Sequence, residues 1–191
     1  EPVFRSDNAK NLAKQAIEMR YKLLQYNYNL AYQNSKTGIP LMRPLFFEEP
    51  ENEALLTKSD GYLWGNDFLV YPILEAGQKT KEVYFPKGST WIDFYTGTTY
   101  EGRTTRQIPT ERSHIPTFVR KGSIVPLVGR IKNTEAFTKD KLEYHFYFDE
   151  KIADEKAFSF YYDDGKTPIN FEYLFSDLKI TDPAYQIPPD T

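Results

Sequence analysis

The chain has 191 residues, 40% of them apolar and 16% aromatic, enough for one ordinary domain or two small ones with a real core. Its net charge is −3 and no lysine–arginine cluster occurs, so nothing electrostatic argues for nucleic-acid binding. No cysteine is present, which excludes disulfides and thiolate metal sites, and no stretch is long and apolar enough to span a bilayer.

The chain starts at Glu1-Pro2-Val3, which is no signal peptide and reads as an excised or processed piece. After a lead-in at 1–5 the spacing predicts one long helix over 7–35, with Ser6 or Asp7 able to cap its first turn and Gly38 as its stop. Two apolar stripes run along it. One is Ala13, Ile17, Tyr21, Leu24, Tyr28, Ala31; the other is Leu12, Ala16, Met19, Leu23, Tyr26, Leu30. They lie about 130° apart, because each helical residue advances about 100°. Arg20 and Asn27 stand between them, and Glu18, Lys22, Gln25 and Asn29 are left for solvent. A one-faced surface helix needs an apolar arc of only about 100°. This helix is therefore expected to have partners on two sides, either deep in its own domain or as a link between two bodies.

The stretch 41–49 reads as a strand, with Pro44 placing it at an edge or a bulge. Glu48, Glu49, Glu51 and Glu53 around Pro50 mark a solvated turn and a first boundary. From Gly61 the periodicity turns to β, with strands predicted at 67–74, 81–85, 90–95, 98–100, 106–109, 117–120 and 123–128. Short strands at this spacing suggest a mainly β fold, an antiparallel β-sandwich preceded by the one long α-helix. The polar stretch 129–141 is a second boundary. A half-buried strand follows at 142–148, then 157–162 and 169–173 flank a hairpin over Asp163-Asp164-Gly165-Lys166, and 182–191 reads as a tail. Trp64, Phe68, Tyr84, Trp91 and Phe118 sit within apolar strand patterns and are expected to be mostly buried.

Few residues offer chemistry. Glu48 and Glu49 are adjacent on a predicted strand, so they point to opposite faces and cannot act as a facing acid–base pair; they read as a solvated strand end. Asp163 and Asp164 precede Gly165 in a turn, where aspartates accept backbone hydrogen bonds; a calcium or sugar contact is the second reading, but the run lacks a calcium loop's further oxygens. His114 and His145 have no zinc-helix spacing and read as structural. Arg43 reads as a half of a buried ion pair ahead of a substrate contact. Trp64 and Trp91 read as core ahead of sugar-stacking faces. No nucleophile elbow or phosphate loop occurs, so no catalytic, substrate-binding or metal-binding residue is assigned.

A resemblance lies in ordered blocks. These are Arg20-Tyr21 with Leu23-Leu24, Tyr26, Tyr28 and Leu30; Gly38 and Pro40 with Arg43-Pro44-Leu45-Phe46; and Gly61-Tyr62-Leu63-Trp64-Gly65-Asn66-Asp67-Phe68-Leu69-Val70 with Pro72. Then come Val83-Tyr84-Phe85-Pro86 with Gly88; Trp91, Asp93 and Tyr95-Thr96-Gly97; and Ile115-Pro116, Phe118-Val119-Arg120, Gly122-Ser123-Ile124 and Pro126-Leu127. In this order and spacing they resemble glycoside hydrolase family 31, which includes α-glucosidases and α-xylosidases. Gln25 departs from the pattern where the family usually has proline, and is expected to relieve a helix kink.

The resemblance implies a retaining α-glycosidase, working through a covalent glycosyl-enzyme without a cofactor, on a (β/α)8 barrel. Its two catalytic aspartates would lie on earlier barrel strands, and the last subsite histidine just before a Glu-Pro pair like Glu1-Pro2. The chain would thus begin after the active site ends. It would comprise the barrel's last helix and closing strand at 1–50, the proximal C-terminal β-sandwich at 51–128, and the start of a truncated distal β domain at 129–191, where Tyr161-Tyr162-Asp163-Asp164-Gly165 resembles a family run. Its partners would be the rest of its own barrel and, for the whole enzyme, an α-linked oligosaccharide; no nucleic acid or membrane is called for. Alone, the chain is expected to hydrolyse nothing and to self-associate through one helix stripe. The alternative is a free-standing carbohydrate-binding β-sandwich using tyrosines and tryptophans as a platform. A binding module must expose a row of aromatics, whereas a scaffold buries them.

Overall fold

The computed structural model describes residues 1–138, 142–147, 158–163 and 168–173. Two α-helices open the chain, α1 at Asp7–Lys22 and α2 at Leu24–Thr37. The Ser6 hydroxyl accepts the Ala9 N–H at 3.4 Å and caps α1. The expected single helix over 7–35 is interrupted at Leu23, whose ψ of 10° leaves the helical range while its side chain turns into the core. Gln25 does not remove this break, which falls just ahead of it. Gly38 ends α2 in the left-handed conformation at φ 74°, its N–H bonded to the Asn34 carbonyl at 2.8 Å.

Twelve strands follow among the described residues: β1 (Met42–Pro44), β2 (Tyr62–Trp64), β3 (Phe68–Val70), β4 (Thr80–Phe85), β5 (Thr90–Asp93), β6 (Thr99–Glu101), β7 (Thr104–Pro109), β8 (Thr117–Arg120), β9 (Ile124–Val128), β10 (Leu142–Phe146), β11 (Phe158–Asp163) and β12 (Pro168–Tyr173). Every pairing is antiparallel. Six strands form one sheet in the order β1-β2-β3-β8-β5-β6, and the pairs β4–β7, β9–β10 and β11–β12 stand beside it. The chain is thus mainly β and antiparallel, preceded by helices.

The strand expected over 41–49 is only β1, at the sheet edge. Pro44, with no N–H to offer, ends it, and a 3-10 turn at Leu45–Phe47 follows, dropping Leu45 fully into the core. β2, too short for periodicity to delimit although Trp64 reads as a strand residue, forms a hairpin with β3 across Gly65. β11 and β12 pair from Phe158↔Tyr173 to Asp163↔Pro168, so they bracket the expected hairpin. Asp164 and the rest of that turn lie outside the described residues, as does the tail.

Alternation along the central strands gives the six-stranded sheet two apolar faces. Phe68, Val70 and Val119 join Leu23, Tyr26 and Leu30 of the helical segment and Val125 and Leu127 of β9 in one core. Leu63, Leu69, Trp91 and Phe118 point the other way and pack with Val83 and Phe85 of β4 and Ile108 of β7. Phe68, Trp91 and Phe118 are fully buried as expected, while Trp64 and Tyr84 are half-buried.

The two helical stripes fare differently. Leu23, Tyr26 and Leu30 are buried and Met19 packs against them, but Ile17 remains 52% exposed and Tyr28 43%. Gln25 and Asn29, expected in solvent, are instead buried at 2% and 7%, because that face of α2 meets β11.

Candidate functional site

The polar groups that matter most lie where α2 meets the turns of the six-stranded sheet. A buried tyrosine needs a partner for its hydroxyl. Tyr26 has two: its Oη stands 2.8 Å from the Trp64 carbonyl and 3.1 Å from Asp67 Oδ2. Burial, and after it the Asp67 carboxylate, push the Tyr26 hydroxyl well above its ordinary pKa, so it stays a neutral donor. Asp67 Oδ1 accepts the Ser123 hydroxyl at 2.7 Å, and Trp64 Nε1 donates to Asn27 Oδ1 at 2.9 Å. One helix is therefore hydrogen-bonded to the β2–β3 turn, which is in turn bonded to the β8–β9 turn.

Gly65 makes this approach possible. It sits at φ 67°, and a Cβ there would run into the Tyr26 hydroxyl and a Leu30 methyl. Beside it, Arg120 Nε donates to the Asn66 carbonyl at 2.7 Å, its Nη2 pairs with Glu48 Oε2 at 2.9 Å, and its Nη1 reaches the Ser89 hydroxyl. The same guanidinium lies 4.5 Å from the Trp91 ring centre, where the ring's negative face attracts it. A cavity of about 40 Å³, lined by Tyr26, Asn29, Asn66 and Asp67 among others, opens on the seam. It has room for a water molecule and not for a sugar ring.

A second polar cluster surrounds Glu49, which is only 2% exposed. Its carboxylate accepts the Tyr84 hydroxyl at 2.9 and 3.0 Å, the Lys87 N–H at 2.6 Å and the Asn52 amide at 3.2 Å. Burial pushes this carboxyl up, but the Lys87, Tyr84 and Asn52 hydrogen bonds outweigh it and hold the pKa below the usual value.

Glu48 and Glu49 are therefore not a solvated strand end. They leave a turn in different directions, Glu48 to Arg120 and Glu49 into its own socket, and each is tied to groups far along the chain. Arg43 is not shown with a carboxylate: its Nη2 donates to Asn66 Oδ1 at 2.7 Å, while its Nε is buried without a partner. His114 stacks on Tyr95 with ring centres 3.9 Å apart and its Nδ1 is 2.9 Å from the Ser113 hydroxyl. His145 Nε2 lies 3.3 Å from Glu143 Oε2, with burial lowering its pKa against the pull of that carboxylate. Trp91 is wholly buried and Trp64 is held by Asn27, so the two do not form an exposed platform.

The family model described as the glycosyl hydrolase family 31 C-terminal domain matches residues 38–125. Residues 38–125 belong to glycoside hydrolase family 31, as its C-terminal domain. A probable glucan 1,3-alpha-glucosidase of Oryza sativa subsp. japonica is 32% identical over 189 residues, which is 95% of this chain and 20% of the relative. An alpha-xylosidase of Saccharolobus solfataricus is 34% identical over 160 residues, 82% of this chain and 20% of the relative. Among solved structures, a family 31 dextranase of Flavobacterium johnsoniae complexed with isomaltotriose superposes with a TM-score of 0.77 at 33% identity, over 86% of this chain and 20% of its own. The chain spans about a fifth of the length of the curated relatives it matches.

Within this family 31 segment, the seam explains the motif spacing. Gly65, Asn66 and Asp67 form the turn, and Arg120 and Ser123 come from the block that lies beside it. Reading residues one at a time missed the network, since Asp67 looks like a strand start and Ser123 like an ordinary hydroxyl. The available signal was the motif blocks themselves, which contain Tyr26, Trp64, Gly65, Asp67, Arg120 and Ser123 together.

Proposed function

We propose that the chain is the C-terminal scaffold region of a retaining α-glycosidase acting on α-glucosides or α-xylosides. The observation that carries this is the seam: Tyr26, Trp64, Asp67 and Ser123 of the family 31 blocks hydrogen-bond α2 to the sheet and its turns. The cavity that opens on this seam, at about 40 Å³, is too small for a sugar ring. On this reading 1–50 are the last helix and closing strand of the catalytic barrel, 51–128 the proximal C-terminal β-sandwich and 129–191 the start of the distal β domain. Backbone pairing crosses both boundaries, from β1 to β2 and from β9 to β10. The catalytic carboxylates belong to the barrel, and an α-linked oligosaccharide is the substrate of the whole enzyme.

The outward stripe, represented on α1 by Ile17 at 52% exposure, is the side of the helices left for the barrel. In the isolated chain the same stripe associates with itself. Sedimentation should show association that Ile17→Lys weakens; a monomer at high concentration with or without that change contradicts this.

Two assays on the purified chain test the scaffold reading. Incubation with 4-nitrophenyl α-glucoside and α-xyloside should release nitrophenol no faster than buffer. Activity that survives repurification and is lost with Glu48→Gln or Glu49→Gln overturns the reading. Passage over immobilised starch should show no sugar-competable retention; firm retention would favour the free-standing carbohydrate-binding module instead.

A further inference from the structure

Gln25 and Asn29 lie one turn apart on α2, so their side chains stand side by side. Both are buried, although side-chain amides are ordinarily surface groups. They turn to the same residue. Gln25 Nε2 donates to the Tyr161 carbonyl at 2.5 Å, and Asn29 Oδ1 accepts the Tyr161 N–H at 2.7 Å. On a strand, the N–H and C=O of one residue point to the same edge. The two amides therefore do for β11 what a neighbouring strand would do, and cover one site on an edge whose free groups otherwise invite other chains.

The next face of the helix adds a shape requirement. Tyr28 and Tyr32 are also one turn apart. The Tyr161 ring lies on Tyr32 with centres 3.7 Å apart and planes at 5°, and 5.6 Å from Tyr28 at 29°. Lys36 Nζ is 5.4 Å from the centre of the Tyr32 ring, placing a cation near the same stack. The amide spacing suits an extended backbone, and the tyrosine pair suits a flat ring on the residue that supplies it.

We propose that Gln25, Tyr28, Asn29 and Tyr32 form a docking face that recognises a single aromatic residue in an extended strand, and that its occupant is Tyr161. This face fastens the β11–β12 hairpin to α2. Because α2 is also bound to the six-stranded sheet through Tyr26, it is the element that sets the position of the hairpin relative to that sheet. The ring and the backbone are both read, so aromaticity at 161 is required.

Hydrogen exchange on the full chain tests this. Three variants are compared with the parent: Tyr161→Phe, Tyr161→Ala and the double change Gln25→Leu with Asn29→Leu. Exchange of the β11 and β12 amides should be accelerated at least about tenfold in Tyr161→Ala and in the double variant, and less in Tyr161→Phe, which keeps the ring. The amides of Phe68–Val70 in β3 should keep their rates in Tyr161→Ala. Unchanged β11 exchange in Tyr161→Ala overturns the proposal, whatever the double variant does. Equal acceleration of β3 and β11 in that variant also overturns it, since Tyr161 would then be a general core residue. Tyr161 lies outside α2, so the alanine change decides the matter even if the double variant loses the helix.

Discussion

α1 and α2 carry the same two apolar stripes, yet α2 buries Gln25, Tyr26, Asn29 and Leu30 within its 14 residues while α1 buries none of its 16. The contrast lies in what each meets. α2 is held by apolar packing on the sheet, by the Tyr26 and Asn27 hydrogen bonds to the β2–β3 hairpin, and by two amides on β11. α1 is held by Met19, which packs half-buried against the core, by its Ser6 cap, and by the ion pairs Lys10–Asp7 at 3.1 Å and Glu18–Arg130 at 3.2 Å. Exposed ion pairs of that kind contribute only about 0–1 kcal/mol each. Helical periodicity thus states which faces want partners but not whether this chain supplies them.

Four changes sharpen or break the contrast, taken from the largest effect down. Leu30→Ala removes a buried side chain where α2 meets the sheet and should cost about 2–5 kcal/mol in urea unfolding. A loss near that of a surface change would mean that α2 is not part of the core.

Glu49→Gln should cost about 1–3 kcal/mol at neutral pH, because it removes a charged acceptor from the Tyr84 and Lys87 donors. It also carries a pH signature. The folded carboxyl is held below its ordinary pKa, so its stabilisation is complete above the ordinary glutamate value of about 4.3 and is lost as pH falls through the lower folded value. The parent should lose stability over that acid window more steeply than Glu49→Gln; equal slopes in the two would contradict the socket.

Tyr26→Phe keeps the ring but leaves Asp67 and the Trp64 carbonyl short of a donor, at an expected cost of about 1–2 kcal/mol by the same measurement. Ile17→Ala, on the outward face of α1, should fall within about 0.5 kcal/mol of the parent when the chain is dilute enough to be monomeric. A cost rivalling Leu30→Ala would show that α1 is packed as firmly as α2.

Much of the β architecture was legible because strands of alternating residues face two cores, as Phe68 and Val70 against Leu69 illustrate. The helix termini were legible from Ser6 and Gly38, whose roles are local. Long-range pairing was not. Gln25 and Asn29 look like solvent residues because they are polar, and only a strand more than a hundred residues away makes their burial favourable. Glu49 was misread for the same reason, since its Tyr84 and Lys87 donors are remote in sequence. The break at Leu23 has no glycine or proline to announce it; it is seen where the inward stripe turns into the core. Of the seam, the motif blocks gave the members, but only the structure gives the contacts by which Tyr26, Asp67 and Ser123 meet.

Removing helices one at a time tests most directly whether α2 belongs to the β body and α1 does not. Urea unfolding is measured for the full chain, for a chain beginning at Leu23 and for one beginning at Gly38. Loss of α1 should leave one cooperative transition and lower the stability by no more than about 1–2 kcal/mol, since it removes no buried side chain. Loss of α2 as well should abolish that transition, because Tyr26 and Leu30 leave a gap against Phe68, Val70 and Val119. A chain beginning at Gly38 that unfolds as cooperatively as the one beginning at Leu23 would contradict the account.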